Sequence, residues 1–231
     1  EVYHRYVLGL YELMERITCA FPDVLFEGCS GGGGRFDAGF AYYMPQIWTS
    51  DNTDAVSRLT IQYGTSLVYP ISMTTAHVSA IPNHQTGRKT SFETRGNAAM
   101  SAVFGYELDL TKMSQEDKDQ VKEQVACYKE IRKLIQYGNF YRLKSPVETN
   151  QAAWMFVSDD KRDVCVMTFQ VLAFAQPCLT KTKLFGLDPE LEYENLETHE
   201  IFGGDELMEL GFYDPIVHQD YTSKMYRFKG I

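Results

Sequence analysis

The sequence predicts an α/β unit followed by an all-β unit, and three observations carry this. Up to about residue 145, short apolar runs alternate with segments of helical period. Polar and glycine residues gather after each run, the pattern of βα units around a parallel sheet. From Ser145-Pro146 onward, short strand-like runs are separated by turn signals, which indicates a small antiparallel β domain. The length, 231 residues, suits one large domain or two small ones with a buried core. The expected division is residues 1–145 and 146–231.

Residues 1–21 read as an amphipathic helix, with Tyr3, Tyr6, Val7, Leu10, Leu13, Met14 and Ile17 at helical spacing. No Ser, Thr, Asp or Asn precedes it as a cap, and there is no initiator Met or signal peptide. The chain is therefore expected to be cut from something longer. Pro22-Asp23 ends the helix. Residues 24–27 read as a buried strand, followed by the run Gly28-Cys29-Ser30-Gly31-Gly32-Gly33-Gly34. Residues 46–50 read as a second strand ending at Asp51, and residues 55–67 as a helix. Residues 68–71 read as a third strand, and residues 74–90 as a polar loop. Residues 92–103 are helical or mixed, and residues 104–108 strand-like. Residues 114–137 form a long charged helix that Ser114 and Asp117 open as a capping box. In the second unit, residues 152–157, 163–173, 182–185 and 225–228 read as strands. The turns between them are Ser158-Asp159-Asp160-Lys161, Gln176-Pro177 and Gly186-Leu187-Asp188-Pro189.

Composition narrows the function. Hydrophobic residues are 44% and charged residues 23%, which excludes wholesale disorder. Lys plus Arg is 22 against 31 Asp plus Glu, a net charge of −9, which argues against nucleic acid and anionic membranes as partners. No stretch of about 18 apolar residues predicts a membrane span. The five cysteines, Cys19, Cys29, Cys127, Cys165 and Cys178, are odd in number, scattered and without a CxxC pair. That usage predicts a reduced, cytoplasmic protein. Aromatic residues reach 13%, which leans toward sugars.

Several motifs compete. The glycine run lacks the Gly-Lys-Ser/Thr ending of a phosphate loop and the GxGxxG spacing of a dinucleotide fold. Glycines after a strand still let backbone N–H groups approach a ligand. Gly28-Cys29-Ser30-Gly31-Gly32 satisfies GxSxG, which would make Ser30 a hydrolase nucleophile with His77, His84, His199 or His218 as partner. The glycines after Ser30 oppose the helix that such an elbow requires. Cys29 is a further conceivable nucleophile, since backbone N–H groups lower a thiol pKa. His77 and His84 signal metal only weakly, and neither metal nor cofactor is expected. Asp51 lies at a strand's carboxyl tip, where barrel enzymes place catalytic groups. Trp48 nearby offers an apolar wall or a platform for a sugar face. Asp54 suits the N-cap of the next helix, and Arg58, one turn on, can pair with it.

Two of these stretches together resemble glycoside hydrolase family 36. Phe26-Glu27-Gly28-Cys29-Ser30-Gly31-Gly32-Gly33-Gly34-Arg35-Phe36-Asp37 is similar to the family's C-x-x-G-x-G-R motif. Trp48-Thr49-Ser50-Asp51-Asn52-Thr53-Asp54-Ala55 through Arg58 is similar to its S-D-x-x-D-x-x-x-R motif. His77-Val78-Ser79, Pro82-Asn83-His84-Gln85-Thr86 and Gly203-Gly204-Asp205-Glu206-Leu207-Met208 extend the likeness along the chain. The resemblance implies the C-terminal half of a (β/α)8 TIM barrel followed by an antiparallel β-sandwich. It implies a retaining α-galactosidase acting on oligosaccharides such as melibiose and raffinose, with two carboxylates roughly 5–5.5 Å apart. By motif, Asp51 is the general acid/base. Cys29 and Gly32 bind the galactose with Trp48 close by, and Arg35, Asp54 and Arg58 are supporting residues.

One departure is informative. The family's nucleophile is an Asp in a Lys-Trp-Asp stretch upstream of the cysteine motif. Here Trp48 and Trp154 are followed by Thr49 and Met155, so the stretch is absent. The expectation is a fragment inactive by itself, with exposed sheet edges that favour a homo-oligomer. A serine hydrolase using Ser30 and a non-catalytic sugar-binding module are the alternatives.

Overall fold

A computed structural model describes residues 1–29, 31, 34 and 36–231. The first unit carries helix α1 (Val2–Ala20), strand β1 (Glu27–Gly28), α2 (Ala38–Tyr43), β2 (Gln46–Trp48) and α3 (Ala55–Ser66). It continues through β3 (Thr74–Ser79), α4 (Phe92–Met100), β4 (Val103–Glu107) and α5 (Gln115–Tyr137). The four strands pair in parallel in the order β1-β2-β3-β4. The second unit adds β5 (Asn139–Lys144), β6 (Gln151–Val157), β7 (Asp163–Gln170), β8 (Lys181–Thr182), β9 (Glu192–Asn195), β10 (Ile201–Gly203), α6 (Gly204–Glu209), β11 (Phe212–Tyr213) and β12 (Thr222–Gly230). Six of these strands form an antiparallel sheet ordered β10-β9-β12-β7-β6-β5, while β8 and β11 pair separately.

The caps expected at Asp54 and Ser114 form, and Ser91 supplies a third. Asp54 caps α3, Ser91 caps α4 and Ser114 caps α5, each side chain accepting from the backbone N–H three residues on. The antiparallel sheet is covered on both faces, which explains the unbroken apolar run Ala152–Val157. Trp154 and Phe156 point into a core shared with Leu59, Ala98, Met100, Ile131 and Ile135 of the helices. Met155 and Val157 point the other way, onto Leu184, Leu187, Leu207 and Phe212. Alternate residues of one strand thus feed two cores. Phe156→Ala is expected to cost about 3–5 kcal/mol by denaturant unfolding. A loss under about 1 kcal/mol would contradict this packing.

The structure corrects four expectations. Residues 68–71 are not a strand: Pro70 has no N–H for a ladder, and Ile71–Met73 forms a 3-10 turn. The third parallel strand is instead Thr74–Ser79, expected to be loop. Its threonines and serine are buried, because it sits between two neighbours rather than at an edge. Residues 24–27 contribute only Glu27 to β1, and Val24 and Leu25 are exposed. The antiparallel sheet begins at Asn139, ahead of the change of texture at 145/146, because β5 pairs with β6. Gly138 permits that immediate return, since a Cβ there would lie 2.5 Å from the Leu134 carbonyl oxygen.

Candidate active site

Strand alternation sorts the parallel sheet into two faces. Gly28 and Ile47 meet Phe40 of α2, and Ala76 and Val78 join the helix-packed core. Glu27, Trp48 and His77 therefore lie on the opposite face. The Trp48 and His77 rings meet at 4.1 Å between centroids. A Cβ on Gly105, opposite His77 in register, would lie 2.7 Å from the imidazole, so glycine makes the room.

Cys29 follows β1 and is exposed. Asp51 follows β2 in an exposed bend, at the same carboxyl edge of the sheet. Ser30, Gly32 and Arg35 lie outside the described residues. Among the described residues the next helix after the glycine run starts at Ala38, capped by Asp37. No group of three His, Cys, Asp or Glu among the described residues is placed to hold a metal. No described helix is long and apolar enough to cross a membrane.

The residues around Asp51 are held from two sides. Arg58, buried to 3% exposure, donates from Nη1 to the Ser50 carbonyl at 3.2 Å. Its Nη2 donates to the Thr75 carbonyl and its Nε to Gln62 Oε1 at 3.3 Å. Burial pushes the Arg58 pKa down to about 10, with Glu107 opposing the shift, so the guanidinium stays charged at neutral pH. Asp54 is buried to 2% exposure; its Oδ2 accepts from Ser57 N at 2.9 Å and Ser57 Oγ at 3.0 Å. Its cation is Arg88 rather than the expected Arg58. A helical side chain leans toward its own N-terminus, which carries Arg58 back to Ser50. The capping carboxylate turns instead to the α3 amides.

Between these anchors, Asn52 N donates to Ser50 Oγ at 3.1 Å and Asp54 N to Asn52 Oδ1 at 3.0 Å. Thr53 is tied to a second loop: its N–H donates to Gln85 Oε1 at 3.3 Å, and Asn83 Nδ2 donates to Thr53 Oγ1 at 3.2 Å. Sequence reasoning assigned no role to Asn83, Gln85 or Arg88. For Asn83 and Gln85 the only signal was the family likeness of residues 82–86, which carries no geometry; Arg88 lies outside that stretch.

His77, a possible partner for Ser30 by sequence, lies instead beside Trp48 on the open face of the sheet. Its Nδ1 is buried with no hydrogen-bond partner among the described residues. Burial pushes its pKa down to about 4; Glu27 opposes the shift and Arg58 adds to it. The imidazole is thus neutral at pH 7. The unfolded chain binds its proton more readily, so stability is present above about pH 6.5 and is lost as pH falls toward 4. An NMR titration of the His77 ring is expected to show a midpoint near pH 4. A midpoint near 6.5 would refute the burial.

The arrangement offers an exposed carboxylate on a fixed loop, an aromatic wall and a neutral imidazole, a set suited to hydroxyl recognition and proton transfer. Comparison with known proteins agrees. Residues 1–138 match the Melibiase family model, and residues 151–228 match the glycosyl hydrolase family 36 C-terminal domain. Alpha-galactosidase 1 of Pediococcus pentosaceus is 69% identical over all of this chain, which covers 32% of that protein. A crystal structure of the family 36 α-galactosidase AgaA of Geobacillus stearothermophilus, a variant in complex with raffinose, superposes with a TM-score of 0.97. The identity is 57%, over 99% of this chain and 32% of that one. An α-galactosidase structure from Lactobacillus brevis gives a TM-score of 0.96 at 46% identity, over 99% of this chain and 32% of that one. The chain thus spans about a third of the length of the relatives it matches. With both family models met in order on a matching fold, the chain belongs to the melibiases of glycoside hydrolase family 36.

Proposed function

We propose that these residues supply the acid/base half of a retaining α-galactosidase site, with Asp51 as the general acid/base. The observation that carries this is the exposed Asp51 at the carboxyl edge of the parallel sheet, inside a loop whose ends are fixed by Arg58 and Arg88. In this reading the parallel unit is the C-terminal part of a (β/α)8 barrel. The open face bearing Glu27, Trp48 and His77 then looks into the barrel. The antiparallel unit, with β8 and β11 across from it, is the β-sandwich. The barrel's remaining strands come from outside residues 1–231, and so does the nucleophile. The exposed apolar side chains of α1, among them Tyr3, Tyr6 and Leu13, fit a helix that packs against that remainder.

Cys29 and Gly32 bind the galactose and Trp48 walls the site, with Arg35, Asp54 and Arg58 in support. The substrate class is a terminal α-galactoside of an oligosaccharide, supported by the raffinose and stachyose complexes of AgaA variants. Asp51 protonates the departing sugar oxygen and then takes a proton from the attacking water, while the nucleophile holds the glycosyl group. The free cysteines support a reducing, cytoplasmic setting. Nitrophenyl α-galactoside hydrolysis by residues 1–231 and by the complete enzyme, each with and without Asp51→Ala, tests the reading. Turnover by residues 1–231 that Asp51→Ala abolishes would overturn it.

A further inference from the structure

We propose that Arg88 is a positioning residue for Asp51, and that Tyr221 of the antiparallel unit holds Arg88 in place. The inference rests on the acid/base role given to Asp51 above. Asp51 lies between two cationic anchors. Arg58 fixes the Ser50 carbonyl immediately before it, and Arg88 fixes the Asp54 carboxylate three residues after it. The Asp54 side chain is only 1% exposed, so its charge depends on a cation held in one place.

The backbone around Arg88 is built to hold it. Asn83 N donates to the Arg88 carbonyl at 2.9 Å, and Gly87 N donates to the Asn83 carbonyl at 2.8 Å. Gly87 turns the chain at φ +69, a conformation that favours glycine. Asn83 Oδ1 also accepts from the N–H groups of Gln85 and Thr86.

The outer face of the Arg88 guanidinium lies over the Tyr221 ring, 5.0 Å from its centroid. Tyr221 is a non-glycine residue at φ 57, pinned from both units. Its N–H donates to the Val171 carbonyl at 3.0 Å, and its carbonyl accepts from Thr94 Oγ1 of α4 at 2.8 Å. Two residues on, Ser223 Oγ accepts from Asn97 Nδ2 at 2.9 Å. The antiparallel unit, which carries no residue assigned to the reaction, thereby sets the far end of the acid/base loop. Lysine cannot replace Arg88 fully, because it lacks the planar group that stacks on Tyr221 while bonding Asp54.

The test separates positioning from stability through the leaving group. A displaced general acid slows departure of an alkoxide, which needs the proton, more than departure of a nitrophenolate, which does not. In the complete enzyme, Arg88→Lys and Tyr221→Leu are expected to lower kcat/KM, which reports the step that expels the leaving group, on an alkyl α-galactoside about tenfold or more. On a nitrophenyl α-galactoside they should fall less than about twofold. Tyr221→Phe keeps the ring and should restore the alkyl galactoside rate. If Arg88→Lys fails to fold, Tyr221→Leu carries the test, since it leaves the buried ion pair intact. Equal losses on both substrates, or no loss on either, overturn the relay. An Asp51→Asn variant that shows no leaving-group bias overturns the acid/base reading beneath it.

Discussion

Asp51→Ala in the complete enzyme is expected to lower kcat/KM on melibiose by about 10²–10⁴, the usual contribution of a positioned general acid/base. The loss should be smaller on a nitrophenyl galactoside, whose leaving group needs less protonation. Stability should stay within about 0.5 kcal/mol, because Asp51 is exposed and outside both cores. Residues 1–231 alone should give no turnover. A retaining mechanism splits one difficult step into two through a covalent intermediate, and no Lys-Trp-Asp stretch exists here to form it. The two measurements answer different questions. The substitution asks whether Asp51 is the acid/base, and the isolated residues ask whether its partner lies elsewhere.

Arg58→Met is expected to destabilise by about 2–4 kcal/mol and to lower activity as well. The substitution fills much of the volume but removes the donors to the Ser50 and Thr75 carbonyls and to Gln62 Oε1. Each buried acceptor left without a donor costs about 1–3 kcal/mol. The removal of a buried charge offsets part of this, since its desolvation is also removed. Ser50 precedes Asp51, so the freed carbonyl also loosens the acid/base loop. Arg58→Lys is the sharper variant: one ammonium cannot reach the same three acceptors in the guanidinium's planar arrangement. Denaturant unfolding and kcat on melibiose should both fall. An Arg58→Met protein as stable and active as wild type would show that these contacts carry neither function.

Much of the site was legible before any coordinates. The strand tip at Asp51, the cap at Asp54 and the capped start of α5 follow from local chemistry within three or four residues. Strand β3 was missed because Thr74, Thr75, His77 and Ser79 look like loop residues. The threonines and the serine are buried, and His77 half-buried, by neighbours 27 or more residues away in sequence, such as Ile47 and Val103. The short strands β9, β10 and β11 escaped for a similar reason, since each is defined by its partner across the sheet rather than by its own period.

The charge pairing shows the division most plainly. Helical spacing makes Arg58 a neighbour of Asp54, and sequence alone supports that pair. In the fold, Asp54 takes Arg88, 34 residues on, and Arg58 takes backbone carbonyls. By itself the sequence determined the family, the order of the two units and the identity of the acid/base candidate, because motif order and local caps are short-range properties. Only the tertiary structure decided which cation meets which acid and which polar residues are buried. A buried charge pairs with whatever the packed chain brings within reach, and loops far apart in sequence set that reach.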